Sequence, residues 1–391
     1  MANDGLRGKR AAVLGAGRQG TAAAYDFARV GGAAEVDLVD RSSEALDKAL
    51  AHLRRLAPET RFAGIKADAA SERSLAAALS GAAAALSALP YRFGPNAARA
   101  AVAARCHLVD LGGNTDVSAA FLALDGEARA AGIALVPDTG LAPGLANTLA
   151  AAGIEALDEP EAARIWCGGL PRRPLPPLGY RLVFSAAGLL NEYAGEAVFL
   201  RDGKIALVPA LSEIEQLELP ELGRVEAFPT SGGTSTAPQT YLGRLKTFEY
   251  RTVRYPGHRD RFLALAEIGL LSETPVPLPD GSAVRPRDVA VALLAPLLDH
   301  PEEPDLVVLR VEVAGRHDGR PARVVFDLFD REDPATGFTA MERCTAFPAA
   351  AVAEMAASGE IAPGSRPLEI AVPPAPFLAR LAQRPLALVR R

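Results

Sequence analysis

Three glycines near the start of the chain, Gly15, Gly17 and Gly20, stand in the order GAGRQG. They follow a short apolar run, RAAVL at 10–14, and precede a helical stretch over 19–30. A glycine turn between a strand and a helix presents free backbone N–H groups and the positive end of the helix dipole, a setting suited to phosphate. The first glycine allows the tight turn, the second lets backbone approach a pyrophosphate, and the third lets helix and strand pack closely. Asp40 closes the next apolar run, EVDLV, twenty residues after Gly20. A carboxylate there accepts hydrogen bonds from ribose hydroxyls and repels a 2′-phosphate, so the pattern predicts NAD as cofactor rather than NADP. Arg18 and Gln19 share the loop, and Arg18 adds positive charge. Arg41 has two readings, a cap for a 2′-phosphate or a stacking partner for adenine. Asp68 has two as well, a contact to the adenine edge or a cap for the following helix, for which Ser71 is also a candidate cap.

Further acids and turn residues fall at the ends of later predicted strands. The fourth strand delivers Leu89, Pro90 and Tyr91; the fifth, Asp110, Leu111 and Gly112; the sixth, Asp138 and Thr139. Ligands of open parallel sheets bind beyond the carboxyl ends of the strands. Leu89, Pro90, Leu111 and Gly112 are therefore expected at the cofactor and Tyr91 at the substrate. Asp138 and Asp110 are the candidate proton-transfer groups, with Asp138 placed first, and His258 is a third candidate. Farther on, TSGGTST at 230–236 is rich in hydroxyls and backbone N–H groups, and RTVRYPGH carries Arg254 and Tyr255. Thr234, Arg254 and Tyr255 are expected at the substrate, an arginine being well matched to a carboxylate. Two of these residues have structural alternatives: a surface salt bridge for Arg254, a helix-start residue for His258.

These residues need a scaffold, and the alternation of short apolar runs with amphipathic stretches supplies one. Strands are expected at 10–14, 35–39, 62–68, 83–90, 107–112 and 132–140, with helices between them, including one over about 117–131. That is a doubly wound parallel sheet of the Rossmann type. After about residue 157 the pattern changes to longer alternating stretches, with a hairpin turning at HDGR (317–320). The fold class expected is α/β: an N-terminal Rossmann-type sheet plus an α+β domain with a largely antiparallel sheet. The Rossmann domain is expected over 1–157, with 343–391 returning to it. The α+β domain, for substrate binding and oligomerisation, is expected over 158–342. The prolines of 160–180 suit a linker between the two, and a late helix is expected over 345–361.

Composition narrows the function classes. The 391 residues are 49% hydrophobic and 23% charged, enough for two well-buried cores. A net charge of -5 argues against a general nucleic-acid binder. Cys106, Cys167 and Cys344 are far apart and form no CxxC pair, so no metal site is expected and the thiols read as reduced, in a cytoplasmic protein. The first ten residues lack the apolar core of a signal peptide, and no apolar run reaches the about 18 residues of a membrane span.

The succession GxGxxG, Asp40, VDLGGN, PDTGLAPG, GGLPRRPLPPLGY, TSGGTST and RYPGH resembles the saccharopine dehydrogenase family over nearly the whole chain. Within that family it is most similar to the bacterial L-lysine 6-dehydrogenases. The resemblance implies a homo-oligomer that carries out NAD-dependent oxidative deamination at the ε-carbon of L-lysine. The product would be 2-aminoadipate 6-semialdehyde, which cyclises to a piperideine carboxylate, with release of ammonia. Such a reaction needs a neutral amine, a base to take its proton, and water to hydrolyse the resulting iminium ion. The family frame also serves saccharopine and carboxynorspermidine dehydrogenases, which are the rival readings, and a non-catalytic NAD-binding protein is a third.

Overall fold

A computed structural model describes residues 5–391, so the first four residues of the N-terminal stretch read above lie outside the described residues. The chain divides into two compact units. The first comprises the chain up to Glu155 together with Ser235–Thr240 and Glu342–Leu386; the second comprises Ala156–Thr234, Tyr241–Met341 and Ala387–Arg391.

The first unit is built on strands β1 (Arg10–Leu14), β2 (Glu35–Asp40), β3 (Arg61–Lys66), β4 (Ala84–Ser87), β5 (His107–Asp110) and β6 (Ala134–Val136). Among the described residues they form, with the two-residue strand Gly364–Ser365, a seven-stranded sheet. Its order is Gly364–Ser365, β6, β5, β4, β1, β2, β3, and every pairing is parallel. The order reverses direction between β1 and β4, which puts the loops after those two strands at the switch point where such sheets hold ligands. Helices α1 (Arg18–Arg29), α2 (Ser43–Leu56), α3 (Glu72–Leu79), α4 (Gly94–Ala104), α5 (Thr115–Leu122) and α6 (Asp125–Ala131) make the crossovers, and α7 (Leu145–Glu155) follows β6. Ala11, Ala12, Val13 and Leu14 of β1 are wholly buried, as strands covered on both faces must be. Each buried Val or Leu side chain contributes roughly 1.5–3 kcal/mol. Local chemistry starts the helices. Ser42 caps α2 by accepting the Ala45 N–H, Ser71 caps α3 through the Ser74 N–H, and Asn114 caps α5 through two N–H groups.

The second unit holds a mixed, largely antiparallel sheet, nine-stranded among the described residues. Its main path runs through Glu215–Leu219, Gly223–Phe228, Thr247–Arg254, Glu159–Pro171, Asp305–His317, Arg320–Arg331 and Leu388–Arg390. The hairpin Glu196–Arg201/Lys204–Pro209 joins it at Phe248. One pairing, Thr247–Arg254 with Glu159–Pro171, is parallel. The expected fold class is therefore the observed one.

Several local expectations change. The third strand ends at Lys66, short of Asp68, and Ser71 rather than Asp68 caps the next helix. The helix expected over 117–131 is two, α5 and α6, separated at Ala123–Leu124. Residues 160–171 are no linker. They lie in the 13-residue strand Glu159–Pro171, flanked on both sides by other strands. The proline cluster follows that strand within the second unit. The late helix begins earlier than expected, at Ala340, and ends at Ser358. The tail also divides: Ala387–Arg391 belongs to the second unit, against the expected return of everything after 343 to the first. Among the described residues no helix is long and apolar enough to cross a membrane.

Candidate active site

The glycine loop has the build of a phosphate cradle. Gly15 has φ +102°, and a Cβ on it would lie 2.8 Å from the Ala88 carbonyl oxygen of the neighbouring β4 loop. Gly20 has no room either, because its Cβ would run into the Gly15 carbonyl and the Val13 side chain. Gly17 is the opposite case: it is exposed, and a Cβ there meets nothing within 4 Å. It occupies the N-cap of α1 without a side-chain cap, leaving the first N–H groups of the helix for an anion. One glycine facing open space between two that permit close packing is what a pyrophosphate cradle requires.

Asp40 ties this loop to β2. One carboxylate oxygen accepts the Ala16 N–H at 2.9 Å and the other the Ser42 N–H at 2.9 Å. The acid is thus fixed beside the glycine turn. Arg18 is ion-paired with Glu342 (2.6 Å), and Gln19 is half-buried in the first turn of α1. Arg41 is exposed. Asp68, also exposed, accepts the Ala70 N–H at 3.0 Å in a local turn. Leu89 is half-buried, Pro90 exposed, and Tyr91 is 42% exposed at the head of a short turn of helix. The residues present fit a pyridine nucleotide.

Beyond β5 and β6 the structure brings Asp110 and Asp138 together. An oxygen of Asp110, Oδ1, accepts the Gly112 N–H at 3.1 Å and the Asp138 N–H at 3.0 Å. The Asp110 carbonyl accepts both the N–H and the hydroxyl of Thr139. Asp138 adopts φ +62°, a left-handed conformation that Asp tolerates better than most residues. Its Oδ2 accepts two hydroxyls, from Ser118 at 2.6 Å and from Ser235. Gly112 is a glycine of necessity, since a Cβ on it would strike the Asp138 carboxylate. Leu111 lies half-buried between them.

The two acids differ in availability. Asp138 is 2% exposed and saturated on Oδ2; burial raises its pKa while the two hydroxyls pull it down. Asp110 is 7% exposed. Burial, and secondarily the neighbouring Asp138 carboxylate, push its pKa up to about 7. A carboxyl group poised there can take and return a proton near neutral pH. Around this pair, Glu369 accepts the hydroxyls of Thr236 (2.9 Å) and Thr240 (2.5 Å) through one oxygen. It thereby anchors the short segment whose first residue, Ser235, reaches Asp138. Sequence reasoning missed Ser118, Ser235 and Glu369. The TSGGTST stretch pointed to the neighbourhood of Ser235, but no local pattern marks the other two.

In the second unit a separate buried cluster surrounds His258, whose side chain is wholly enclosed. The Leu178 carbonyl, 2.9 Å from Nδ1, can only accept, so Nδ1 carries the proton. Nε2 then accepts the Tyr193 hydroxyl at 2.8 Å, and the Tyr193 oxygen accepts Arg254 Nε at 2.9 Å. Burial and the Arg254 charge hold the His258 pKa well below its usual value, keeping the ring neutral. The remaining Arg254 contacts go to the Val253 carbonyl and, at 3.7 Å, to Glu192. Arg254 is 2% exposed and stacks over Tyr180. It is therefore committed within its unit, neither a surface salt bridge nor an unengaged fork for a carboxylate. The Tyr255 hydroxyl likewise donates to the Pro171 and Arg172 carbonyls, and the Thr234 hydroxyl to the Val198 carbonyl.

Residues 11–136 match the family model of the saccharopine dehydrogenase NADP binding domain, and residues 140–386 that of the saccharopine dehydrogenase C-terminal domain. The chain belongs to the saccharopine dehydrogenase family. It is 29% identical over 205 residues to the saccharopine dehydrogenase (NADP(+), L-glutamate-forming) of Pyricularia oryzae, covering 49% of this chain and 44% of that one. To the Saccharomyces cerevisiae protein of the same description it is 26% identical over 239 residues, 58% of this chain and 52% of that one. A carboxynorspermidine synthase of Vibrio cholerae is 26% identical over 223 residues, 55% of this chain and 51% of that one. The chain spans about half the length of the curated relatives it matches. The fold extends further than these alignments. The apo saccharopine dehydrogenase (L-Glu forming) of Saccharomyces cerevisiae superposes with a TM-score of 0.76 at 20% identity, covering 98% of this chain and 99% of that one. The homospermidine synthase of Legionella pneumophila, solved in complex with NAD, gives 0.65 at 10% identity, covering 98% and 91%. In this saccharopine dehydrogenase-family chain, a pyridine nucleotide is the group that the glycine loop is built to hold.

Proposed function

We propose that this protein is an NAD-dependent amine dehydrogenase that deaminates the ε-carbon of L-lysine oxidatively. The observation that carries the reading is Asp110. It is a carboxyl group at the end of β5, in the unit that holds the glycine loop, with its pKa pushed up to about 7. Amine oxidation at neutral pH needs such a group, able to accept a proton from the substrate and give one back.

Gly15, Gly17 and Gly20 with the first turn of α1 would hold the cofactor's phosphates, and Asp40 its ribose. Bound there, NAD supplies the hydride acceptor. Asp110 removes a proton so that the ε-amine is neutral. Loss of hydride from the ε-carbon leaves an iminium ion, whose charge a nearby carboxylate stabilises. Water adds to that carbon, and the carbinolamine collapses to aldehyde and ammonium as Asp110 relays the proton. Asp138 orients Asp110 through its own backbone N–H, a role that suits an acid already bonded to two hydroxyls. Asp110 thus takes the place that chain order gave to Asp138. His258, enclosed and engaged at both nitrogens, is read as structural. The choice of NAD follows the fixed carboxylate of Asp40, although the matching domain model is named for NADP. Three buried cysteines outside any disulfide suit a reducing compartment, and we place the protein in the cytoplasm as a homo-oligomer.

The test is a substrate panel of L-lysine, saccharopine and carboxynorspermidine, each with NAD and with NADP, followed as reduced cofactor by absorbance. Lysine with NAD should give the highest kcat/KM. Turnover of saccharopine without turnover of lysine would overturn the substrate, and a preference for NADP would overturn the role given to Asp40.

A further inference from the structure

We propose that Arg181 anchors a carboxylate-binding site in the second unit. Arg181 is 2% exposed, yet its Nε and Nη1 have no hydrogen-bond partner among the described residues. The preceding residue repeats the pattern: Tyr180 is wholly buried and its hydroxyl also lacks a partner. Two consecutive buried side chains with unmet polar atoms are unusual, because burying a donor without a partner is costly and natural cores avoid it.

The other buried arginines show what satisfaction looks like here. Arg254 reaches Tyr193 and the Val253 carbonyl, Arg343 reaches the Pro385 carbonyl, and Arg384 reaches Asp26 and Glu354. Of the two acids whose charge acts on Tyr180, Glu192 faces Arg254 and Asp305 is otherwise engaged. Asp305, close enough for its charge to act on Tyr180, accepts the Ala340 and Met341 N–H groups at 2.6 and 3.0 Å.

Nor is the segment loose. The Tyr180 N–H donates to the Leu175 carbonyl at 3.2 Å, and the Leu182 N–H to the Leu298 carbonyl at 2.8 Å. The Leu178 carbonyl receives the Nδ1 proton of His258 at 2.9 Å. Backbone is thus pinned on both sides of Arg181, so the guanidinium is held ready and not merely left over. A cationic group with unmet N–H donors, next to a tyrosine hydroxyl in an enclosed setting, is complementary to a small anion carrying several acceptor oxygens. The choice of a carboxylate, and of the α-carboxylate of an amino acid in particular, rests on the amino-acid substrate proposed above. Arg254, to which the sequence pattern gave this task, is already committed to Tyr193, the Val253 carbonyl and Glu192.

The experiment uses the full chain and three probes at matched ionic strength: glutarate, inorganic phosphate and sodium chloride. Thermal unfolding and calorimetric titration are followed for wild type, Arg181→Met and Arg181→Lys. Glutarate should stabilise the wild type more than chloride does. Arg181→Met should raise the melting temperature of the ligand-free protein, because an unpaired buried charge is gone, and should weaken glutarate binding about tenfold or more. Arg181→Lys, which keeps the charge, should bind with intermediate affinity and guards against a misfolded Met variant. Equal glutarate affinity in all three proteins overturns the proposal. So does a wild type that glutarate does not stabilise, or one that responds to phosphate alone. Absence of lysine turnover with glutarate binding intact condemns the proposed activity and leaves this site standing.

Discussion

Asp110→Asn should make the protein more stable and less active, and the size of the first effect follows from the titration of the carboxyl group. In the unfolded chain Asp110 ionises near 3.8, in the folded unit near about 7. Below both values the folded and unfolded forms carry the proton alike, and Asp110 does not weaken the fold. Between them the unfolded chain releases its proton while the folded unit keeps it, so stability falls by about 1.4 kcal/mol per pH unit. Above the folded value the deficit is complete, about 4 kcal/mol for a rise of this size. Asparagine retains an oxygen for the Gly112 and Asp138 N–H groups and never ionises. Urea unfolding followed by far-UV circular dichroism at pH 4 and pH 8, on both proteins, measures the difference. Comparing variant with wild type at each pH cancels the pH dependence of the second unit. The variant should gain little at pH 4 and several kcal/mol at pH 8. In the same preparations kcat should fall by about 10²–10⁴, and the rise in wild-type activity through pH 7 should vanish. Parallel stability profiles for the two proteins would show that Asp110 is not held as a raised-pKa acid. Near-normal turnover in the variant would remove it from the chemistry.

Three further outcomes separate binding from stability. Gly17→Ala should leave melting within about 0.5 kcal/mol of wild type yet weaken NAD binding severely in a fluorescence titration; Gly20→Ala should instead destabilise the unit, by about 1–3 kcal/mol or more. Arg384→Met leaves Asp26 buried without its cation and Glu354 with Arg380 alone, and should lower stability in urea titrations by about 3–5 kcal/mol. Ser235→Ala and Ser118→Ala each take one hydroxyl from Asp138 Oδ2 and should each destabilise by about 1–3 kcal/mol; a silent Ser235→Ala beside a damaging Ser118→Ala would mean that the Ser235 contact does not form in solution.

The parts of this molecule that were legible in its sequence are those governed by neighbours along the chain. The glycine loop declared itself because each glycine answers a local need. The HDGR turn did so because Asp318 and Gly319 both adopt positive φ, at 50° and 67°, as a two-residue hairpin demands. Caps such as Ser42 and Ser71 are equally local. Other features depend on partners far away in sequence. Glu159–Pro171 looks like a linker by its prolines and becomes a central strand only because strands more than 75 residues downstream pair with both its edges. Arg254 and Arg181 are both arginines near aromatic residues. Nothing nearby tells that Tyr193 and Glu192 occupy one and that Nε and Nη1 of the other meet no partner among the described residues. The Asp110–Asp138 contact was foreseeable as two acids on adjacent parallel strands; the hydroxyls that distinguish them come from Ser118 and Ser235, one of them 97 residues away.

The first unit is not continuous along the chain, and this bears on how it can be made. The nucleotide-binding sheet is translated early, but Ser235–Thr240 and Glu342–Leu386 complete its packing. Until they emerge from the ribosome, β6 has an uncovered edge that Gly364–Ser365 will later occupy, and Asp26 on α1 waits for Arg384. An unpaired parallel edge is a template for wrong partners. A growing chain that has not yet reached Glu342 is thus expected to be a client for chaperones, protected less by its own fold than by the speed with which Glu342–Leu386 follows.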